Sequence, residues 1–240
     1  MKRHTKFAAA MAVIAALIVP APANALSINK SIKVEAGAEV DGASSVNGSI
    51  SIGEGATVNG SVDTVNGTIR VDENAKIDDA GTVNGSVRIA SGVTAEDVSS
   101  VNGSIRIGEN VIIEGGVSVV NGKISLDKGT QVAESVINVN GQITVVGAQI
   151  GGDLETVSGD VMLTEGSTLM GNLIVEEPGG WSCGKKRRTP KIIIGPNSTV
   201  AGNIELEQEV ELYISESAEV SGVSGEMSID DAVRFSGSTA

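Results

Sequence analysis

Val101-Asn102-Gly103-Ser104-Ile105-Arg106-Ile107-Gly108-Glu109-Asn110-Val111-Ile112-Ile113 is one copy of a unit that recurs along the chain. Val-Asn-Gly begins at 46, 65, 83, 101, 120 and 139, and Val157-Ser158-Gly159 follows as a variant. The starts are separated by 19, 18, 18, 19, 19 and 18 residues. A fixed short period decides the architecture before local propensity does, because each copy must stack on the next to bury its apolar face.

Within the copy, aliphatic residues fall at Val101, Ile105, Ile107, Val111, Ile113 and Val117, at offsets 0, 4, 6, 10, 12 and 16. Spacing by two is the period of a strand with one buried face. Between these positions the chain steps through Asn102-Gly103 and Gly108-Glu109-Asn110, residues that tolerate corner conformations. Val46, Ile50, Ile52, Ala56, Val58 and Val62 keep the same beat, as do Val83, Val87, Ile89, Val93 and Ala95, and Val157, Val161, Leu163, Leu169 and Leu173. A helix is excluded, since the glycines in every copy would each cost about 1 kcal/mol. The pattern predicts an all-β chain: a single-domain parallel β-helix (β-solenoid) with three short strands per 18–19 residue rung. The 19-residue intervals depart from strict sixes and lean the reading toward a right-handed coil over a left-handed hexapeptide helix. Val101 and its equivalents are placed in the core. Asn47, Asn66, Asn84, Asn102, Asn121 and Asn140 line up as a structural ladder of amides, with asparagine suited to a left-handed corner.

Residues 1–25 read as a secretory signal peptide. Lys2, Arg3 and Lys6 precede an apolar run from Phe7 to Val19, and Ala23-Asn24-Ala25 supplies a small-x-small cleavage site near Ala25. The expected location is therefore periplasmic, cell-surface or secreted. No later segment approaches the ~20 apolar residues of a membrane span. Lys2, Arg3 and Lys6 leave with the signal, so 14 of the 17 cations remain against 30 acids, a net charge near −16. Phosphate backbones repel such a chain, which excludes nucleic acid as a partner. The acids Glu35, Glu54, Asp72, Glu73, Asp78, Asp79, Glu96 and Asp97 fall at corners and read as a solvated surface.

The solenoid is expected over 26–225, opening with an atypical rung in which Ile28, Ile32, Val34 and Val40 alternate. A loop interrupts it at 176–190, where two prolines and three glycines break the period. That loop holds Trp181, Cys183, Lys185, Lys186, Arg187 and Arg188, the only basic run in an acidic chain. One reading makes it a site for an anionic partner, with arginine forks on carboxylate or phosphate and the indole adding contact area. The other makes it a solvated loop that complements the acidic rungs beside it. Cys183 is the only cysteine, and a free thiol and an intermolecular disulfide both stay open. Residues 226–240 read as a C-terminal cap or a disordered tail, with Ser228-Ile229-Asp230-Asp231 able to start a short helix carrying Val233 and Phe235.

Solenoid enzymes commonly use histidine as base or zinc ligand, and the only histidine, His4, lies in the signal. Asp78-Asp79 and Glu96-Asp97 supply oxygen ligands of the kind calcium takes, without the glycine-aspartate spacing of calcium-loaded β-rolls. No cofactor, metal site or catalytic residue is expected.

The rung wording, as in Glu54-Gly55-Ala56-Thr57-Val58-Asn59-Gly60-Ser61-Val62, resembles the bactofilin or polymer-forming cytoskeletal family over most of 28–225. That resemblance implies a right-handed β-helix that assembles end to end into filaments without nucleotide. The family is typically cytosolic, so the export signal and the 176–190 loop depart from its pattern. The leading expectation is a non-enzymatic exported structural protein of the bacterial envelope, self-associating or scaffolding an envelope component. An adhesin-like module using the Trp181 loop is the alternative, and a polysaccharide-acting enzyme a more distant one.

Overall fold

The computed structural model describes residues 26–179 and 188–237. Each strand pairs in parallel with its equivalents one rung earlier and one rung later, giving three sheets of 11, 11 and 10 strands that wrap a common axis. In the rung that carries the quoted stretch, Val98–Asn102 belongs to the first sheet, Ile105–Ile107 to the second and Ile112–Ile113 to the third. The chain is a parallel β-solenoid.

Register follows from burial. Ile105 lies between Val87 and Ile124, and Ile107 between Ile89 and Leu126, so branched aliphatics stand on branched aliphatics up the column. Shifting a strand by one residue would turn this whole set outward, and that cost pins the register. The buried column runs without a break from Val34 to Ile214.

The first sheet corrects the sequence reading. Val101 is half-buried, and so are Val46, Val83 and Val157, whereas Ser100 is fully buried. The three strands of a rung are unequal, five, three and two residues long, so the core does not fall on equal thirds. Alternation along Val98–Asn102 turns Val98 and Ser100 inward and Val101 outward. The inward column before the valines reads Thr64, Thr82, Ser100, Val119, Asn138, Thr156. Its polar members bond to the corner carbonyls: Thr64 Oγ1 donates to the Gly48 carbonyl at 2.9 Å, Ser100 Oγ to that of Gly85 at 3.2 Å, and Asn138 Nδ2 to that of Gly122 at 2.9 Å, which leaves Asn138 Oδ1 buried without a partner.

Two kinds of corner use glycine for different reasons. At the first-to-second corner, a Cβ on Gly85, Gly103 or Gly122 would collide with the carbonyl oxygen of the glycine one rung below, so close stacking selects glycine there. At the second-to-third corner the backbone is left-handed, with Asn74 at φ 57°, Gly92 at 71°, Asn110 at 55° and Gly129 at 76°. The expectation that the Val-Asn-Gly asparagines take that conformation is therefore corrected: none of the six is left-handed. The third corner sets most of the mixed period, and in the 139–157 rung, where that corner keeps three residues, the second corner from Val145 to Ala148 is one residue shorter. Two residues, Glu96-Asp97, join Ala95 to Val98, but three, Glu114-Gly115-Gly116, join Ile113 to Val117.

The insertion after Leu173–Val175 leaves the register intact, because Ile192 stacks on Val161 and Ile194 on Leu163. At the C-terminal end, Ile229–Asp231 forms one 3₁₀ turn. Val233–Phe235 then adds to the second sheet beside Glu211–Ser215. Val233 and Phe235 thus lie on a strand and not on a helix. Among the described residues no helix is long and apolar enough to cross a membrane.

Candidate functional surfaces

With the aliphatics turned inward, chemistry is left to three outward columns and one loop. The first column is the asparagine ladder. Asn66 Nδ2 donates to Asn47 Oδ1 at 2.8 Å, Asn84 to Asn66 at 3.0 Å, and Asn102, Asn121 and Asn140 each to the asparagine below at 3.1 Å. It begins one rung earlier than the tripeptide does, at Asn29, which accepts from Asn47 at 2.8 Å. Each amide from Asn47 to Asn121 spends one donor and one acceptor on its neighbours, the pattern of stacked amides in cross-β structures.

The second column stands on the outer face of the second sheet. Arg70, Arg88 and Arg106 are in direct register, each exposed between two buried aliphatics of its own strand. Neighbouring strands are ~4.8 Å apart, so three like charges are stacked at that spacing. Among the described residues none of the three guanidinium groups takes part in an ion pair or a hydrogen bond, unlike Arg188, which pairs with Asp160 at 2.6 Å. Beside Arg88 and Arg106 lies a shallow depression of about 410 Å³, bordered also by Ser104, Lys123, Ser125 and Gln142. Periodicity read for apolar residues alone misses this stripe. Writing out the charge at the middle position of each second-sheet strand would have found it.

The third column is the third-to-first corner, where Asp78, Asp79, Glu96, Asp97 and Glu114 follow one another on successive rungs. Part of this acidity is structural. Asp97 Oδ1 accepts from the Gly116 N–H at 2.7 Å and Asp79 Oδ1 from the Asp97 N–H at 3.3 Å. Farther up, Asp153 Oδ1 accepts from Asn172 at 2.7 Å and Asn172 Oδ1 from Asn203 at 2.9 Å. The crowding shows in the carboxyl groups. Burial pushes Asp63 up to about 6, opposed by a hydrogen bond from Ser61 and reinforced by the charge of Asp79. Burial likewise raises Asp79, with Asp97 and Asp78 adding repulsion against the hydrogen bond from the Asp97 backbone. Glu96 is raised first by the charge of Asp79, then by burial and by Asp97, Asp78 and Glu114. Among the described residues no group of three or more His, Cys, Asp or Glu is arranged to hold a metal ion.

Of the loop residues, Trp181, Cys183, Lys185, Lys186 and Arg187 lie outside the described residues. Arg188 is turned back onto the solenoid, where its Nη2 donates to Asp160 Oδ2 at 2.6 Å while the Lys191 N–H reaches Asp160 Oδ1 at 3.0 Å. Comparison with family models, curated proteins and solved structures returned no match to this chain.

Proposed function

We propose that the chain is a non-enzymatic structural protein, a β-solenoid exported to the bacterial envelope that associates end to end into filaments. The observation that supports this reading is the chemistry of the two ends. At the N-terminal end Leu26–Ser27, Ile32–Val34 and Glu39–Val40 each pair on one side only, and at the C-terminal end so do Glu219–Val220, Val223–Gly225 and Val233–Phe235. An unpaired strand edge is a template for another chain. Of the five exposed large hydrophobic residues among those described, Ile28, Ile229 and Val233 sit at these ends. Once the signal is removed, stacking one column on another continues all three sheets, a heterologous contact that repeats without closing. The resemblance to bactofilins points the same way.

Negative-stain electron microscopy of the purified mature protein tests the reading. The expected result is filaments of uniform width. Free rods about 50 Å long, the height of eleven strands at ~4.8 Å each, would mean capped ends and sink it. Export is tested separately by N-terminal sequencing of protein from the cell envelope or culture fluid. A start at Leu26 is expected; Met1 retained in the cytosol would exclude export.

A further inference from the structure

The arginine stripe and the acidic corner match each other rung for rung. Each arginine is followed eight residues later by a corner carboxylate: Arg70 by Asp78, Arg88 by Glu96, Arg106 by Glu114. Where the stripe position is neutral, the corner position eight residues on is neutral too, although the corner of the Ser125 rung keeps an exposed Glu134 one residue further along. Ser51 goes with Asn59 below, and Met162 and Ile193 go with Met170 and Ala201 above. These partners cannot meet within one molecule. In a three-sided column the third-to-first corner lies opposite the second face, and the apolar core fills the space between.

We propose that the occupant of the arginine stripe is the acidic corner of a second copy of this chain, laid alongside with its axis parallel and its rungs level. A sideways translation without rotation carries the corner of one column onto the stripe of the next. Asp78, Glu96 and Glu114 then stand at the heights of Arg70, Arg88 and Arg106. The two ladders share one spacing because the same strand stacking generates both. A slip of one rung leaves Arg70 against Asn59 and Glu114 against Ser125, or else Asp78 against Ser51 and Arg106 against Ala133, where the carboxylate stands one residue further on at Glu134, so the charges favour the level register as well as the partner. The shapes agree: Glu96 and Glu114 are exposed on a convex corner, and Arg88 and Arg106 border a shallow depression. Pairing also relieves two stacks of like charge that have no relief within one column. Each copy keeps one stripe and one corner to offer, so the contact propagates into an open raft. It uses the flanks of the column and stands apart from the end-to-end reading.

Small-angle X-ray scattering separates the two, because side-by-side contact raises the cross-section and end-to-end contact only the length. The measurement belongs at about 0.1 M salt, where a Debye length of ~10 Å screens the net repulsion of acidic columns while contacting pairs persist, and again at about 1 M, where it is ~3 Å. The wild type is expected to at least double its mass per unit length at the lower salt and to lose the gain at the higher. One variant carries Arg70→Glu, Arg88→Glu and Arg106→Glu, another Asp78→Lys, Glu96→Lys and Glu114→Lys. Each alone should remain a single column. Mixed, they should widen again, since each supplies the charge the other lacks, a rescue that misfolded protein cannot give. A wild type that never widens, variants that widen alone, or a mixture that fails to recover would each overturn the proposal. So would a single-column wild type that binds polygalacturonate through the arginines, which would assign the stripe to an anionic polymer.

Discussion

At the scale of single residues the molecule is decided by what one atom more or one charge fewer would do. Asp63 lies half-buried beside the acidic corner, and burial holds its carboxyl near 6, well above the ordinary value of 3.8. An acid raised on folding binds its proton more tightly in the native state, so stability falls as pH rises from about 4 to about 6 and the cost is complete above that window. Asp63→Asn should therefore stabilise the protein at pH 7 by about 1–2 kcal/mol, after discounting for the solvent that still reaches the group. The gain should vanish near pH 4. Urea denaturation of both proteins at the two pH values measures it, and an equal effect at both would assign the change to packing. Gly103 is decided by space. A Cβ there would run into the Gly85 carbonyl and meet Ser100 Oγ at 3.2 Å, with backbone on one side that cannot yield. Gly103→Ala should cost about 1–3 kcal/mol, the range of overpacked cores, read as a fall in the thermal midpoint.

At the scale of the strand and corner, period and side-chain type were legible in the sequence, and phase was not. The recurrence of Val-Asn-Gly set the rung, and the aliphatic pairs Ile105–Ile107 and Val111–Ile113 are buried as their spacing implies. The first strand escaped that reading because its inward positions hold Ser100, Thr82 and Thr64. A buried hydroxyl satisfied by a corner carbonyl looks polar in a sequence, and a half-exposed valine looks apolar. Asn102 was legible as a ladder member. Its conformation was not, because asparagine suits both a stacked amide and a left-handed corner, and only the second-to-third corner uses it for the latter, at Asn74 and Asn110. The arginine stripe was missed because it sits at the polar middle of strands read for their apolar flanks. The phase correction predicts unequal mutants within a few residues of one another. Val101→Thr should change stability by less than about 1 kcal/mol, since its side chain points outward. Ile105→Ala, four residues on and fully buried, should cost about 2–5 kcal/mol. Equal losses in chemical denaturation would return Val101 to the core and overturn the register described for the first sheet.

At the scale of the whole column, the two kinds of contact proposed here draw on different forces and so part company when conditions change. End-to-end stacking would extend backbone ladders and cover Ile28 against Ile229 and Val233, interactions that salt does not screen. Side-by-side contact would rest on charge pairs, which salt weakens, between molecules whose net charge opposes their approach. Raising salt from about 0.1 M to about 1 M should thus turn bundles into single filaments of unchanged length. Blocking the ends should do the reverse. A variant with Ile28→Lys and Val233→Lys puts a cation on each end of the column, so that meeting ends repel and each must bury an unpaired charge. At about 0.1 M salt it should form rafts only one column deep, roughly 50 Å, the height of eleven stacked strands. Electron micrographs of that variant distinguish the cases directly. Rafts without filaments would mean that ends and flanks act independently. Filaments as long as those of the wild type would show that the exposed aliphatics at the ends are not the contact, and would leave the backbone edges alone to account for assembly.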